Sequence, residues 1–193
     1  MKRQGFKYLI TGFLLILLDI HAFIYVLPDS VGYLLIGLGI LKVVAEGKNA
    51  KRAEMTAYML MVLSIPTLVL SGEVLQQMQT DSTGWKLYGF VLSMGHLILM
   101  YFLFLMLLNE VDYLNDEETI QHRVHKMMRF YMAITLSSAF IQPFLMNVNH
   151  DIQLVVGIPL IVVTLIAQII FIVHLRGLQK TFPNDFGRVY PVG

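Results

Sequence analysis

The chain contains no cysteine. That absence removes disulfides, thiolate nucleophiles and cysteine-ligated zinc or iron–sulfur sites together. Charge is scarce too: 14% of the 193 residues are Asp, Glu, Lys or Arg, against about 25% in an ordinary soluble domain. The 14 Lys and Arg nearly cancel the 13 Asp and Glu, leaving a formal net charge of +1. Such a chain has no global field to attract nucleic acid, so none is expected among its partners. It also lacks Gly-x-Ser-x-Gly and any glycine loop ending in Lys-Ser or Lys-Thr. An esterase-type nucleophile elbow and ATP-driven chemistry are therefore not expected. No motif implies a cofactor.

What is abundant is apolar. Hydrophobic residues make up 56% of the chain and mean hydropathy is +0.67, which excludes disorder. Six apolar segments recur, at about residues 6–27, 30–46, 55–71, 85–108, 128–146 and 154–175. A spanning helix needs about 20 apolar residues, within a range of about 17–25, so the second and third segments sit near the short limit. The pattern predicts an all-α, polytopic membrane helix bundle of about six transmembrane helices. One domain is expected over residues 1–180, with a short, poorly ordered cytoplasmic tail at 181–193. The first segment follows Lys2 and Arg3, as a secretory signal would. It is too long for a signal's apolar core and no small-x-small site precedes Pro28, so it reads as a retained span.

Loop charges orient the bundle, because Lys and Arg are held on the cytoplasmic side. Lys2, Arg3, Lys7, Lys42, Lys48, Lys51 and Arg52 fall on one side under an alternating topology. Arg123, Lys126, Arg129, Arg176, Lys180 and Arg188 join them, leaving only Lys86 opposite. Both termini are thus expected in the cytoplasm of a cell whose plasma membrane holds the protein. Trp85 and Tyr88 fit an outer aromatic belt, and Tyr8 an inner one. In the inner loop Asn115 is a candidate cap, and Ile120, Val124, Met127 and Tyr131 form one apolar stripe. The fifth span should therefore begin well before its apolar run. Pro66 and Pro143 should bend spans three and five near Val62 and Ala139.

Polar residues inside the spans fall on faces. Gly89, Ser93, His96 and Met100 share one stripe, Tyr131, Thr135, Ser138 and Gln142 a second, and Gly157, Thr164 and Gln168 a third. Gly12 and Asp19 lie seven apart in the first span. Two readings are open: glue between packed helices, where small residues allow close approach, or the lining of a narrow polar pathway. Asp19, His96, Gln142 and Gln168 are the candidate functional residues. His96, near mid-span, should be hydrogen-bonded to Ser93 and to a residue of another helix. Asp19 either ties the first hairpin to the bundle or exchanges a proton or cation. His21 sits about 200° round the helix from Asp19, so the two form no ready ligand pair.

The hairpin Leu27-Pro28-Asp29-Ser30-Val31-Gly32-Tyr33 is the most distinctive stretch. Pro28 ends the incoming segment, Asp29 or Ser30 caps the next, and Gly32 with Gly39 offers a smooth face to a neighbour. With Asp19 in the first span, this hairpin resembles a family of uncharacterised multi-pass membrane proteins of Gram-positive bacteria. The resemblance covers about the first quarter of the chain. It implies a bacterial plasma membrane and supplies no activity.

Other constellations are weaker. Glu118, His122 and His125 share a helical face with metal-ligand chemistry, yet Lys126 and Arg129 crowd the same turn, as on a solvated surface. Asn147, Asn149, His150 and Asp151 read as a turn. The function expected first is non-enzymatic: an accessory or interaction subunit that meets another membrane protein through glycine faces. A small-solute or ion module using Asp19 and His96 is the alternative. An intramembrane hydrolase assembled from His21, His96, His150, Asp19 and Asp151 comes third. The interior discriminates between the first two. A solute binder needs a helix-enclosed cavity, and a scaffold needs a packed interior with an exposed small-residue face.

Overall fold

The computed structural model describes residues 2–21, 29–44, 47–66, 83–111, 117–145 and 148–182. The side chains of residues 19–21, 83, 85, 86, 117 and 150 are not among those described. Six α-helices and no strand occur among the described residues: α1 (Lys2–His21), α2 (Asp29–Val43), α3 (Lys48–Leu63), α4 (Thr83–Val111), α5 (Glu117–Leu145) and α6 (His150–Thr181). Each apolar segment read from the sequence contains one helix, but several helices start earlier than their apolar run. In α3 the buried Ala50, Ala53, Ala57 and Leu60 follow helical spacing, so an amphipathic first half precedes the apolar part. In α5 the expected stripe Ile120, Val124, Met127 and Tyr131 is buried along its whole length.

Each helix packs on its neighbours in sequence, and α6 returns to α1, closing a ring. Adjacent helices run in opposite directions. The α1–α2 pair is the closest, through glycines at both crossings. A Cβ on Gly12 would stand 2.7 Å from the Gly32 carbonyl oxygen, and one on Gly5 2.8 Å from that of Gly39. Elsewhere Tyr88 at the start of α4 donates to the Leu63 carbonyl at the end of α3. Gln153 at the start of α6 donates to the Leu145 carbonyl at the end of α5. One end of the ring therefore collects the starts of α1, α3 and α5 and the ends of α2, α4 and α6. This end is tied together by Lys2 Nζ, 2.5 Å from Glu110 Oε2, and by Gln179 Nε2, which donates to the Arg3 carbonyl. Phe6 stacks on Phe182 there, at 5.1 Å between centroids. The packed body thus extends to Phe182, one residue past the expected start of the tail.

In α1, α2, α3, α5 and α6 every described Lys and Arg lies in the half of its helix nearest that end. The basic half of the ring is solidly filled, by Leu9, Ile40, Leu103, Met106, Val124 and Leu175 among others. The outer surface is apolar: Met55, Leu87, Phe140, Phe144, Val155 and Val173 are all more than half exposed. Two helices, over Leu87–Val111 and Asp151–Thr181, are long and apolar enough to cross a membrane, and the second has only 22% of its most apolar stretch buried. At 15 and 16 residues, α2 and α3 fall short of the about 17–25 residues a span requires.

Beside Pro66 the helix is interrupted at a single residue. α3 stops at Leu63, and Ser64 closes it with its N–H on the Leu60 carbonyl and its hydroxyl on the Met61 carbonyl. Ile65 and Pro66 are helical again after this one turn residue; a proline at 66 has no N–H to offer the Val62 carbonyl, so the helix is interrupted beside it. Pro143 is carried in the last turn of α5, and Pro159 lies inside α6. Pro28, Asn115 and Asn147 lie outside the described residues.

Candidate functional site

The half of the ring away from the basic end is hollow. A cavity of about 280 Å³ lies among α1, α2, α4, α5 and α6. The polar stripes of three helices converge on it: Ser93 and His96 from α4, Tyr131, Thr135, Ser138 and Gln142 from α5, Thr164 and Gln168 from α6. Asp29 and Tyr33, one turn apart at the start of α2, complete the polar part of the wall. Asp29 is in the first turn of its helix, where the backbone dipole favours a carboxylate. Ile16, Leu92, Leu97 and Ala139 supply the apolar part.

His96 spans the floor. Its Nδ1 lies 3.3 Å from the Tyr33 hydroxyl and its Nε2 3.3 Å from the Tyr131 hydroxyl. A neutral imidazole has one N–H and one lone pair, so one tyrosine donates to the ring and the other accepts from it. The accepting tyrosine keeps its own O–H for the cavity. Beneath this trio Phe13, Phe104 and Phe171 meet edge to face, with centroids 5.1 and 5.2 Å apart, and Phe171 also packs on Tyr131 at 5.4 Å. This aromatic layer separates the hollow half from the filled one.

Two hydroxyls of the wall are committed as donors. Thr135 Oγ1 donates to the Tyr131 carbonyl at 2.8 Å, and Thr164 Oγ1 to the Leu160 carbonyl at 2.9 Å. What each turns outward is a lone pair. Gln168 is the opposite case: the residue is 4% exposed, and its Nε2 has no hydrogen-bond partner. Native structures hold few such atoms, since a buried donor without an acceptor costs about 1–3 kcal/mol.

Of the candidates read from the sequence, His96, Gln142 and Gln168 come together in this cavity. Asp29, expected only as a cap, lines it as well. The Asp19 backbone is in α1, but its side chain falls outside the described residues, as do those of His21 and His150. Gly32 does not line the cavity and instead seats α2 on α1. The partners of His96 are Tyr33 and Tyr131, and Ser93 is not one of them. Glu118, His122 and His125 are exposed on α5, away from the cavity. Among the described residues no three His, Asp or Glu side chains gather as a metal set. Helical spacing places Tyr33, four residues after Asp29, on the same face as that residue but gives no sign of its contact with His96. Tyr131 carried a clearer signal, because it belongs to both the apolar and the polar stripe of α5.

Comparison with family models, with curated proteins and with solved structures returns no match.

Proposed function

We propose that the chain is a multi-pass protein of the cell membrane, six helices across, that holds a small polar solute in a chamber opening on the outer face. The observation that carries this reading is the convergence of three polar stripes on one cavity in which Gln168 Nε2 is without an acceptor. Helix bundles build ligand sites in this way, from a few convergent polar groups in a mostly apolar pocket. The volume is about twice that of a ~150 Å³ cavity that admits benzene, which suits a small organic solute.

Several features support the membrane setting. Surface apolar residues surround the ring, and lipid is the medium in which such a surface is stable. The gathering of basic residues at one end follows the cytoplasmic bias of Lys and Arg, so the hollow half faces outward. Because α4 and α6 are long enough to cross, helices packed antiparallel beside them in a closed ring lie at the same depth. The Gram-positive family that the first hairpin resembles fits a bacterial plasma membrane. For the accessory-subunit reading, Gly5, Gly12, Gly32 and Gly39 are used in the contact between α1 and α2, and the glycine faces left open are those of Gly89 and Gly157.

A chain without native cysteine allows a direct test. In intact cells a membrane-impermeant maleimide should label Ser93→Cys in the chamber and leave Leu103→Cys in the filled half untouched. Labelling of Ser93→Cys only after the membrane is opened would reverse the orientation. No labelling under either condition would refute a solvent-connected chamber.

A further inference from the structure

Two of the helices that wall the chamber carry a glycine on its outer side. Gly89 lies six residues inside the start of α4, and Gly157 seven inside the start of α6. Gly89 precedes Ser93 by four residues and His96 by seven, and Gly157 precedes Thr164 by seven. Ser93, His96 and Thr164 all line the cavity, so helical phase turns both glycines toward the same interior. They also stand at one level. α4 and α6 run in the same direction, and Phe104 meets Phe171 with centroids 5.2 Å apart. Gly89 is fifteen residues outward of the first ring and Gly157 fourteen outward of the second.

Both glycines are half-buried, yet among the described residues a Cβ on either would meet nothing within 4 Å. Close approach of a neighbour accounts for Gly12 and Gly32 and does not account for these two. Local stability does not account for them either, since only proline is a poorer helix former. Gln153, one turn further out on the stripe of α6, is drawn aside and donates to the carbonyls of Leu145 and Val148. Deeper in, Gln168 is 4% exposed and its Nε2 lacks an acceptor, so the lane past the glycines leads to a group that a ligand would satisfy. Resting on the chamber reading above, we infer that Gly89 and Gly157 form the entrance of the chamber, through which a solute arrives from the aqueous side. A side chain at either position would stand in its path. The two glycines therefore set the girth of what is admitted, while the groups below them select its chemistry.

The test uses the full chain in detergent with one cysteine, Thr135→Cys, a turn above the floor. The rate at which the neutral reagent 2-hydroxyethyl methanethiosulfonate modifies it is measured. Gly89→Leu and Gly157→Leu should each slow that reaction about two- to tenfold, because passage then waits on a leucine leaving its favoured rotamer. Gly177→Leu is the control. That glycine also has open space before it, but it is exposed near the basic end of α6, and the rate should stay at the parent value. Thermal unfolding shows whether each variant is folded, and Gly89→Met and Gly157→Met replace a leucine variant that is not. A parent rate in either of the two entrance variants, or an equal slowing by Gly177→Leu, would overturn the entrance and leave the chamber standing. A Thr135→Cys that stays unmodified in the parent chain, where Asn149→Cys at the exposed start of α6 reacts, would overturn the chamber itself. Ser93→Cys is the second reporter should Thr135→Cys fail to fold.

Discussion

His96 has a tyrosine hydroxyl on each ring nitrogen, and each hydroxyl comes from a different helix. Both contacts are long for hydrogen bonds, and the ring is open to the chamber, so water can replace a lost partner. Tyr131→Phe should then cost near the lower end of the about 1–3 kcal/mol for an orphaned polar group. In a His96→Leu background the same change should cost almost nothing, because no ring nitrogen is left to satisfy. Thermal unfolding of the four proteins in detergent checks this, and an equal cost in both backgrounds would remove the bond from the energetic account. The comparison also marks what could be read in advance. Helical spacing put His96, Gln142 and Gln168 on polar faces, because phase within one helix is local information. It could not reveal that Tyr33 meets His96, 63 positions away, since phase says which way a side chain points and not what it meets. Ser93, at three residues' remove, was the obvious local partner and lost to two tyrosines that only tertiary packing brings near.

At the scale of the element, the six glycines Gly5, Gly12, Gly32, Gly39, Gly89 and Gly157 separate into two kinds. A Cβ on Gly12 or Gly32 would press on the other's carbonyl oxygen, at 2.7 and 3.0 Å, and backbone atoms have no rotamer to escape into. A Cβ on Gly89 or Gly157 would meet nothing within 4 Å. Gly12→Ala should therefore destabilise, by about 1–3 kcal/mol, as overpacking does. Gly157→Ala should stabilise by up to about 1 kcal/mol, the helix-propensity difference between the two residues. The sign of the shift in thermal midpoint is the readout, and a loss at both positions would show that close approach is not what singles out Gly12. Element boundaries were harder to read than element number. Apolar runs locate the middle of each helix, but α3 and α5 begin in charged, amphipathic turns that hydropathy alone passes over. Pro66 was legible as a disruption, and the break falls at Ser64, two residues before it.

For the whole molecule, the charge pattern and the ring make one joint prediction. A reporter active only in the cytoplasm should give signal after Asn49 and after Gly193, and stay silent after Asp81 and after Asn149. Signal at either of the last two would break the alternation on which the outward chamber depends. All-helical character and a single bundle were visible in the sequence, whereas the hollow was not. Whether stripes of Ser, Thr and Gln pack tightly or stand apart depends on the girth of the ring, and composition does not encode girth. Closure of that ring by α1 against α6 bears on the order of assembly. Thr164 and Gln168 stand on α6, and the helix with which α6 completes the circle is α1. Until α6 packs, α1 to α5 form an open arc and the cavity lacks the wall that Thr164 and Gln168 supply. Enclosure of the cavity is therefore tied to a single contact, that of α6 with α1, between the two described helices farthest apart in the chain.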